Sequence, residues 1–185
     1  MPDQLEILDV RLGTPRPSTF NADQQSVDVA IDVRSHSNQT LHLISSIRAL
    51  DYDPITHTLS VGLSESELPA HIKLHQFIAP HTVPVAPKET ATIQVSVPLV
   101  IRKVIPSSRL SLGVEEVDIS GVQKVKCEVA YSPTPFYPKP TNPPEKVRRA
   151  LRSWGSRTET VLPRSLGGSP VPADPPPARK VRKRG

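Results

Sequence analysis

The sequence predicts an all-β protein, an antiparallel β-sandwich of immunoglobulin-like or jelly-roll type with about seven to nine strands in residues 1–131. Apolar residues alternate with polar ones in several short segments of this region. Turn-forming residues separate these segments, and none of them has convincing helical spacing. The composition changes at Ser132, where a proline-rich and then strongly basic region begins.

The strongest strand candidate spans residues 90–104, and the predicted fold is organised around it. Pro98 is expected to divide this strand or to bend it at a sheet edge, because proline cannot donate to a ladder. A long strand with one apolar face needs a second apolar surface to cover it, which favours two packed sheets. Its inward-facing positions are Ala91, Ile93, Val95, Val97, Leu99 and Ile101, and its outward-facing positions are Thr92, Gln94 and Ser96.

Other alternating segments supply the second apolar surface. Residues 41–52 and 58–64 are predicted to pair as a hairpin with a loop of about four to five residues. Residues 71–78 are ambiguous between strand and helical turn, and strand is favoured. The remaining strand candidates are residues 4–12, 26–34, 110–114 and 123–131.

The chain beyond residue 131 is predicted to stand apart from the sandwich. We expect a proline-rich linker at residues 132–142, a basic amphipathic helix at 143–155 and a disordered basic tail at 156–185. The linker contains PxxP spacings that fit aromatic grooves, although proline is so common here that a stiff spacer is the simpler interpretation.

The helix is predicted from its start and stop residues and from its apolar spacing. Asn142 is the expected N-cap, two prolines follow in the first turn, and Gly155 is the expected stop. Three roles are open for this helix. Its apolar face could pack on the sandwich, or it could dock on a partner protein or an anionic membrane. Alternatively, its arginines could contact phosphates. The apolar face consists of Val147, Ala150, Leu151 and Trp154, of which Val147, Leu151 and Trp154 are the candidate docking residues.

Charge is distributed unevenly along the chain. From Lys139 onward the chain has twelve basic and three acidic residues, a net charge of +9. The preceding residues have a net charge of −4, and the whole chain has +5. An acidic domain with a basic tail predicts a polyanionic partner, with nucleic acid as the leading candidate. The alternative is a solvated tail whose only role is to keep the protein soluble. The candidate polyanion-binding residues are Lys146, Arg148, Arg149, Arg152, Arg179, Lys180, Arg182, Lys183 and Arg184.

No residue pattern predicts catalysis, a cofactor or a metal site. The single cysteine, Cys127, falls on a predicted core face, which favours a buried structural thiol over a nucleophile. His71 and His75 have metal-ligand spacing only if they are helical, and no third ligand is close in sequence. The first residues lack a signal-peptide pattern, and no apolar run is long enough to span a membrane, so we expect a cytoplasmic or nuclear protein.

The sequence therefore predicts a non-enzymatic binding or assembly module, a design that would fit a virion or ribonucleoprotein component. Its basic tail would engage nucleic acid or another polyanion, and its sandwich could bind a protein partner or self-assemble. The competing hypothesis is an intracellular adaptor or scaffold that docks through the proline-rich segment and the amphipathic helix.

Overall fold

A computed structural model describes residues 4–19, 23–66, 78–108 and 111–167 of the chain. These residues form one short helix and twelve strands. No helix in these four ranges is long and apolar enough to cross a membrane. The elements are β1 (Leu5–Leu12), β2 (Arg16–Pro17), β3 (Gln25–Ser35), β4 (Leu41–Ile44), β5 (Ala49–Asp53), β6 (Thr58–Leu63), β7 (Thr82–Val85), β8 (Thr90–Pro98), β9 (Val100–Ser108), β10 (Ser111–Asp118), β11 (Lys124–Ser132), α1 (Pro144–Arg152) and β12 (Ser156–Pro163).

The first sheet is built around β3, which pairs antiparallel with β8 on one edge and with β1 and then β2 on the other. Val27, Val29, Ile31 and Val33 of β3 are fully buried, and its outward positions carry Asp28, Ala30 and Asp32, as the alternation predicts. A bulge between Ile7 and Asp9 interrupts the pairing of β1.

The second sheet is built around β11. One edge of β11 pairs in parallel with β6 and then antiparallel with β4, and the other edge pairs antiparallel with β12. Strands β5 and β7 extend the sheet beyond β6 and β4. The predicted hairpin of residues 41–52 and 58–64 is confirmed only for β5 and β6, because residues 41–44 form the separate strand β4, which pairs with β7 and β11. The parallel β6–β11 pair makes this sheet mixed, whereas a purely antiparallel sandwich was predicted.

The apolar faces of the two sheets form one core, which confirms the expected all-β, sandwich-like fold. Ile31 and Val97 of the first sheet and Leu59, Val125 and Cys127 of the second have at most 1% of their surface exposed. The sequence predicted fewer strands because it did not anticipate β2 or β12, did not identify β7 as a regular strand, and treated residues 41–52 as a single strand. The candidate strand at residues 71–78 lies almost wholly outside the described residues.

The long strand of residues 90–104 is divided near Pro98, as predicted. Pro98 itself still pairs with Ser26, and β8 keeps an unbroken register with β3 over nine residue pairs. Beyond Leu99 the chain leaves β3 and pairs with β10 instead, so β9 and β10 form a separate two-stranded ribbon. The ribbon is attached at its base, where the Lys103 ammonium bonds to the Asp51 carboxylate and the Tyr52 carbonyl of β5.

The fold does not end at Tyr131, where the sequence predicted the domain boundary. Residues 156–163 were expected to be disordered, yet β12 pairs with β11 over eight residues and buries Thr158. Arg164 then bonds to the Val10 carbonyl (3.0 Å) and to the Asp9 carboxylate, which ties this end of the chain to the first sheet. A central strand needs partners on both edges, and β12 supplies the partner for the second edge of β11.

Because α1 and β12 complete the sandwich, a chain that ends at Tyr137 should lose cooperative folding. It would expose one whole edge of β11 and the pocket that Leu151 fills, where Leu151 has none of its surface exposed. Thermal unfolding followed by circular dichroism tests this. A matched chain that ends at Gly167 should melt cooperatively, and an equally cooperative melt of the shorter chain would contradict the prediction.

The buried thiol gives a second prediction. Burial, with added repulsion from Glu128, raises the pKa of Cys127 to about 12. Native protein should therefore resist iodoacetamide at about pH 8, whereas guanidinium-unfolded protein should react. The thiolate is disfavoured only in the folded state, so between about pH 9 and 12 the unfolded chain ionises at Cys127 while the folded chain does not. The free energy of unfolding is therefore unaffected by this group below about pH 9 and falls as the pH rises toward about 12.

The control for the pH effect is Cys127→Val, which keeps a β-branched apolar side chain in the core without a titrating group. Its free energy of unfolding should fall less steeply between about pH 9 and 11 than that of the wild type, by about 1 kcal/mol per pH unit. Identical alkaline slopes for the two proteins would show that Cys127 does not titrate as its burial requires.

Candidate polyanion-binding surface

Helix α1 occupies the middle of the region predicted to be helical. Pro143 takes the N-cap position, where Asn142 was expected, and no side chain caps the first turn. The helix ends at Arg152 with Ser153 as its C-cap, and Gly155 then reverses the chain with a positive φ of 66°. A Cβ at Gly155 would lie 2.0 Å from the Tyr131 carbonyl oxygen, so only glycine fits this approach of the chain to β11.

The apolar face of α1 packs on the sandwich. Leu151 is fully buried and Val147 is 7% exposed, and Trp154 packs partly buried against the same core. These three residues were the candidate docking residues for a partner. That hypothesis is corrected, because in the folded chain Val147 is already buried, and Leu151 and Trp154 pack against the protein's own core. Ala150, which the spacing placed on the same face, is exposed.

Trp154 also holds part of the proline-rich linker against the fold. Its indole N–H donates to the Thr134 carbonyl at 3.1 Å. Its ring meets the Phe136 ring edge to face, with the centroids 6.3 Å apart. The neighbouring Tyr137 remains 83% exposed. The beginning of the linker is therefore fixed by a hydrogen bond and an aromatic contact, and is not only a spacer.

A buried carboxylate fixes the polar side of the helix. Glu65 lies two residues after the end of β6, is 7% exposed and is placed between two arginines. Arg148 of α1 bonds through Nε to Glu65 Oε1 at 2.7 Å and also bonds to the Ser66 carbonyl. Arg48 reaches the other oxygen, Oε2, at 2.8 Å through both Nε and Nη2.

This arrangement removes Arg148 from the candidate polyanion-binding residues. Its side chain is 12% exposed and is bonded to the Glu65 carboxylate, which it shares with Arg48. Moving it toward a phosphate would leave a buried carboxylate with a single partner, which is costly in a poorly hydrated site. Arg157 acts nearby as a further brace, because its Nη2 donates to the carbonyls of Glu65 and Arg152.

The remaining basic residues of α1 lie along its outer side. Lys146, Arg149 and Arg152 are spaced three residues apart and therefore follow one side of the helix. Lys146 and Arg149 are exposed, and within the described residues neither makes an ion pair or side-chain hydrogen bond; Arg152 is half-buried and has interactions of its own. Lys139, in the linker, is also exposed. We call Lys139, Lys146 and Arg149 the basic surface.

Several candidate residues lie outside the described part of the chain. These are Arg179, Lys180, Arg182, Lys183 and Arg184 of the tail, together with the histidine pair at residues 71 and 75. Within the described ranges, no group of three or more histidine, cysteine, aspartate or glutamate residues could hold a metal ion.

Sequence reasoning did not find the role of Glu65. It comes directly after a strand pattern and precedes a polar stretch, which is typical of a solvated loop. Its partners Arg48 and Arg148 lie 17 and about 80 positions away along the chain, so no local spacing indicates the cluster. The available signal was the position of Arg148 in the predicted helix. It follows Val147 and therefore lies at the border of the apolar face, close to any surface on which that face packs.

Removal of the buried carboxylate should destabilise the fold strongly. Glu65→Gln removes the buried negative charge that Arg48 and Arg148 share, at a site where their side chains are 16% and 12% exposed, and should cost about 2–4 kcal/mol. The matched control is Glu159→Gln, because Glu159 pairs with Lys126 at 2.9 Å where both side chains are nearly half exposed. That exposed pair should contribute less than about 1 kcal/mol.

Urea unfolding followed by the fluorescence of Trp154 measures both variants and reports directly on the docking of α1. Equal stability losses for the two substitutions would contradict the structural role of Glu65.

Comparison with models of protein families, with curated proteins and with solved structures gives no match, so the chain's own residues carry the functional argument.

Proposed function

We propose that this protein is a non-enzymatic binding or assembly module whose basic C-terminal region binds a polyanion, with nucleic acid as the leading ligand. The observation that carries the proposal is the pair Lys146 and Arg149, which share one side of a docked helix and lack ion-pair partners within the described residues. A rigid helix that presents two or three cations at fixed spacing is suited to phosphate contacts, which position a ligand without reading its sequence.

The charges of the sandwich itself support this assignment by contrast. Most of its described arginines and two of its described lysines are ion-paired. The pairs are Arg11–Asp32, Arg16–Asp28, Arg48–Glu65, Arg102–Glu116, Lys103–Asp51, Lys126–Glu159, Arg157–Glu128 and Arg164–Asp9. By sequence, the excess of positive charge lies from Lys139 onward, where twelve residues are basic and three are acidic, and α1 carries part of it.

The tail would extend this surface. Five of the six residues 179–184 are basic, and the residues before them are rich in proline and glycine. An extended arm of this kind gains affinity by releasing counterions from a nucleic acid. An immunoglobulin-like or jelly-roll sandwich that makes protein contacts, joined to a basic arm that binds RNA or DNA, is a design suited to a virion or ribonucleoprotein component.

The adaptor hypothesis is the alternative, in which the proline-rich segment and α1 dock on a protein or a membrane. Burial of Val147 and Leu151 takes away the apolar face that such docking would use. The PxxP spacings and the exposed Tyr137 remain available to an aromatic groove. Binding of that kind would depend little on salt.

Salt dependence tests the proposal. Titration of a labelled single-stranded oligonucleotide with the full chain should give an affinity that falls by roughly two to three decades between about 50 and 200 mM salt, if about six cations engage. A chain cut after Ala178 should bind more weakly and with a shallower salt slope. Binding that is indifferent to salt or unchanged by this truncation would reject the polyanion proposal.

A pair of single substitutions separates the basic surface from general charge. Arg149→Gln should lower the slope of log K against log salt by about 0.7, the contribution of one phosphate contact in a single strand. Lys124→Gln removes the same charge from an exposed site at the end of β11 that lies away from α1. Equal effects of the two substitutions would mean that net charge, and not the surface on α1, determines binding.

A further inference from the structure

One edge of β8 has no partner strand among the described residues, because β3 occupies only the other edge. Hydrogen bonds at the two ends of the ladder fix which residues face the free edge. The Leu99 N–H donates to the Gln25 carbonyl at 2.8 Å, and the Ser35 N–H donates to the Glu89 carbonyl at 2.8 Å. Odd-numbered residues of β8 therefore bond to β3, and even-numbered residues direct their N–H and C=O groups to the free edge.

Two further observations support this assignment. Pro98 is even-numbered, so its missing N–H falls on the free edge, which is where a sheet tolerates proline. The Ile119 N–H donates to the Leu99 carbonyl at 2.9 Å, so β10 joins the long strand on the same side as β3. Its opposite side is thus left open past Pro98 as well as along β8.

The other sheet edges carry features that discourage strand pairing. The edge of β1 is interrupted by a bulge, and β12 lies beside it with Arg164 bonded across. Strand β7 has four residues and contains Pro84, and β5 presents Asp51 and Asp53. From Thr90 to Ser96, β8 has no charge, no proline and no bulge. Regular pairing therefore remains open along this edge over seven residues.

We propose that β8 is a self-association interface, at which two copies of this chain pair their β8 strands antiparallel about a two-fold axis at Gln94. The two first sheets become one continuous sheet across the dimer. The proposal goes beyond polyanion binding and does not depend on it.

The strand is complementary to itself in this register. Gln94 faces its own copy, Thr92 faces Ser96, and Ile93 faces Val95, so polar residues meet polar ones and β-branched residues meet each other. Even-numbered residues face even-numbered ones, which lets the free N–H and C=O groups of Thr92, Gln94 and Ser96 bond reciprocally. A two-fold contact occupies the free β8 edge of both copies, so the assembly closes at a dimer.

A second copy fits this edge better than a foreign strand does. Recognition of a foreign strand draws its specificity from pockets that take alternate side chains. The outward side chains of β8 are uncharged and, apart from the central Gln94, short, so they offer little for such pockets to recognise. Self-pairing needs only the two-fold match of the strand with itself. No like charges oppose each other, because the nearest carboxylates, Asp28 and Asp32, lie one strand away on β3.

The first test places lysines where two copies would meet. In Thr92→Lys/Ser96→Lys each lysine is beside Asp32 or Asp28 within its own chain, so the monomer should stay folded. In the dimer the lysine at 92 lies opposite the lysine at 96 of the other copy. Sedimentation velocity of the full chain should show a dimer with a dissociation constant in the micromolar range for the wild type, and at least a tenfold weaker one for the lysine variant.

The matched control is Thr92→Gln/Ser96→Gln, which lengthens both side chains without adding charge and should keep the dimer. A wild type that remains monomeric at about 100 µM overturns the proposal. So does a lysine variant that dimerises as tightly as the glutamine variant.

A cross-linking test reports on the two-fold register and does not need the lysine variant to fold. Cysteine at residue 94 would lie about 5.5 Å from its copy, Cα to Cα, and a short bis-maleimide should join two Gln94→Cys chains. In Ala30→Cys, on the neighbouring position of β3, the copies would be about 15 Å apart. Native Cys127 is fully buried and does not compete. Equal cross-linking of the two variants would overturn the register.

Discussion

The fold depends on satisfying both edges of β11. This strand carries Val125, Cys127, Val129 and Tyr131 into the core, and its backbone lies too deep for water to serve its N–H and C=O groups. Strands β6 and β4 share one edge, and β12 covers the other. The chain must therefore continue beyond β11 and return to it. Helix α1 and Gly155 make that return possible within the 23 residues between Ser132 and Ser156.

The return of the chain determines which basic residues can have a function at the surface. When α1 docks through Val147 and Leu151, Arg148 is brought to Glu65 and becomes part of the structure. Lys146, one position before Val147, and Arg149, one position after Arg148, are left on the outer side. A single docking geometry thus divides a run of cations into one that stabilises the fold and others that are available to a ligand.

The two proposals place different contacts on different parts of the molecule. The polyanion proposal uses α1, which connects β11 and β12 of the second sheet, and the tail that follows Gly167. The self-association proposal uses β8, the free edge of the first sheet. A dimer made through β8 would carry two basic arms, and two linked arms bind a long polyanion more tightly than one, because the second contact becomes intramolecular.

The sequence by itself determined the class of fold and most of the strands. Alternation identified β1, β3, β6, β8 and β11, because a strand with one buried face repeats every two residues. It also placed Cys127 in the core, and helical spacing located α1 with its apolar face. Each of these features depends on residues that are close together along the chain, so a local pattern was sufficient.

Tertiary structure decided what lies between distant segments. The segment Ser156–Pro163 has only a weak alternation and comes after a basic helix, so its strand became evident only from its pairing with β11. Glu65 resembles a solvated loop residue until Arg48 and Arg148 close on it from distant positions. The free edge of β8 is likewise set by which neighbours a strand lacks. Pairing, burial of charge and open edges are relations between segments, and no local period in a sequence encodes them.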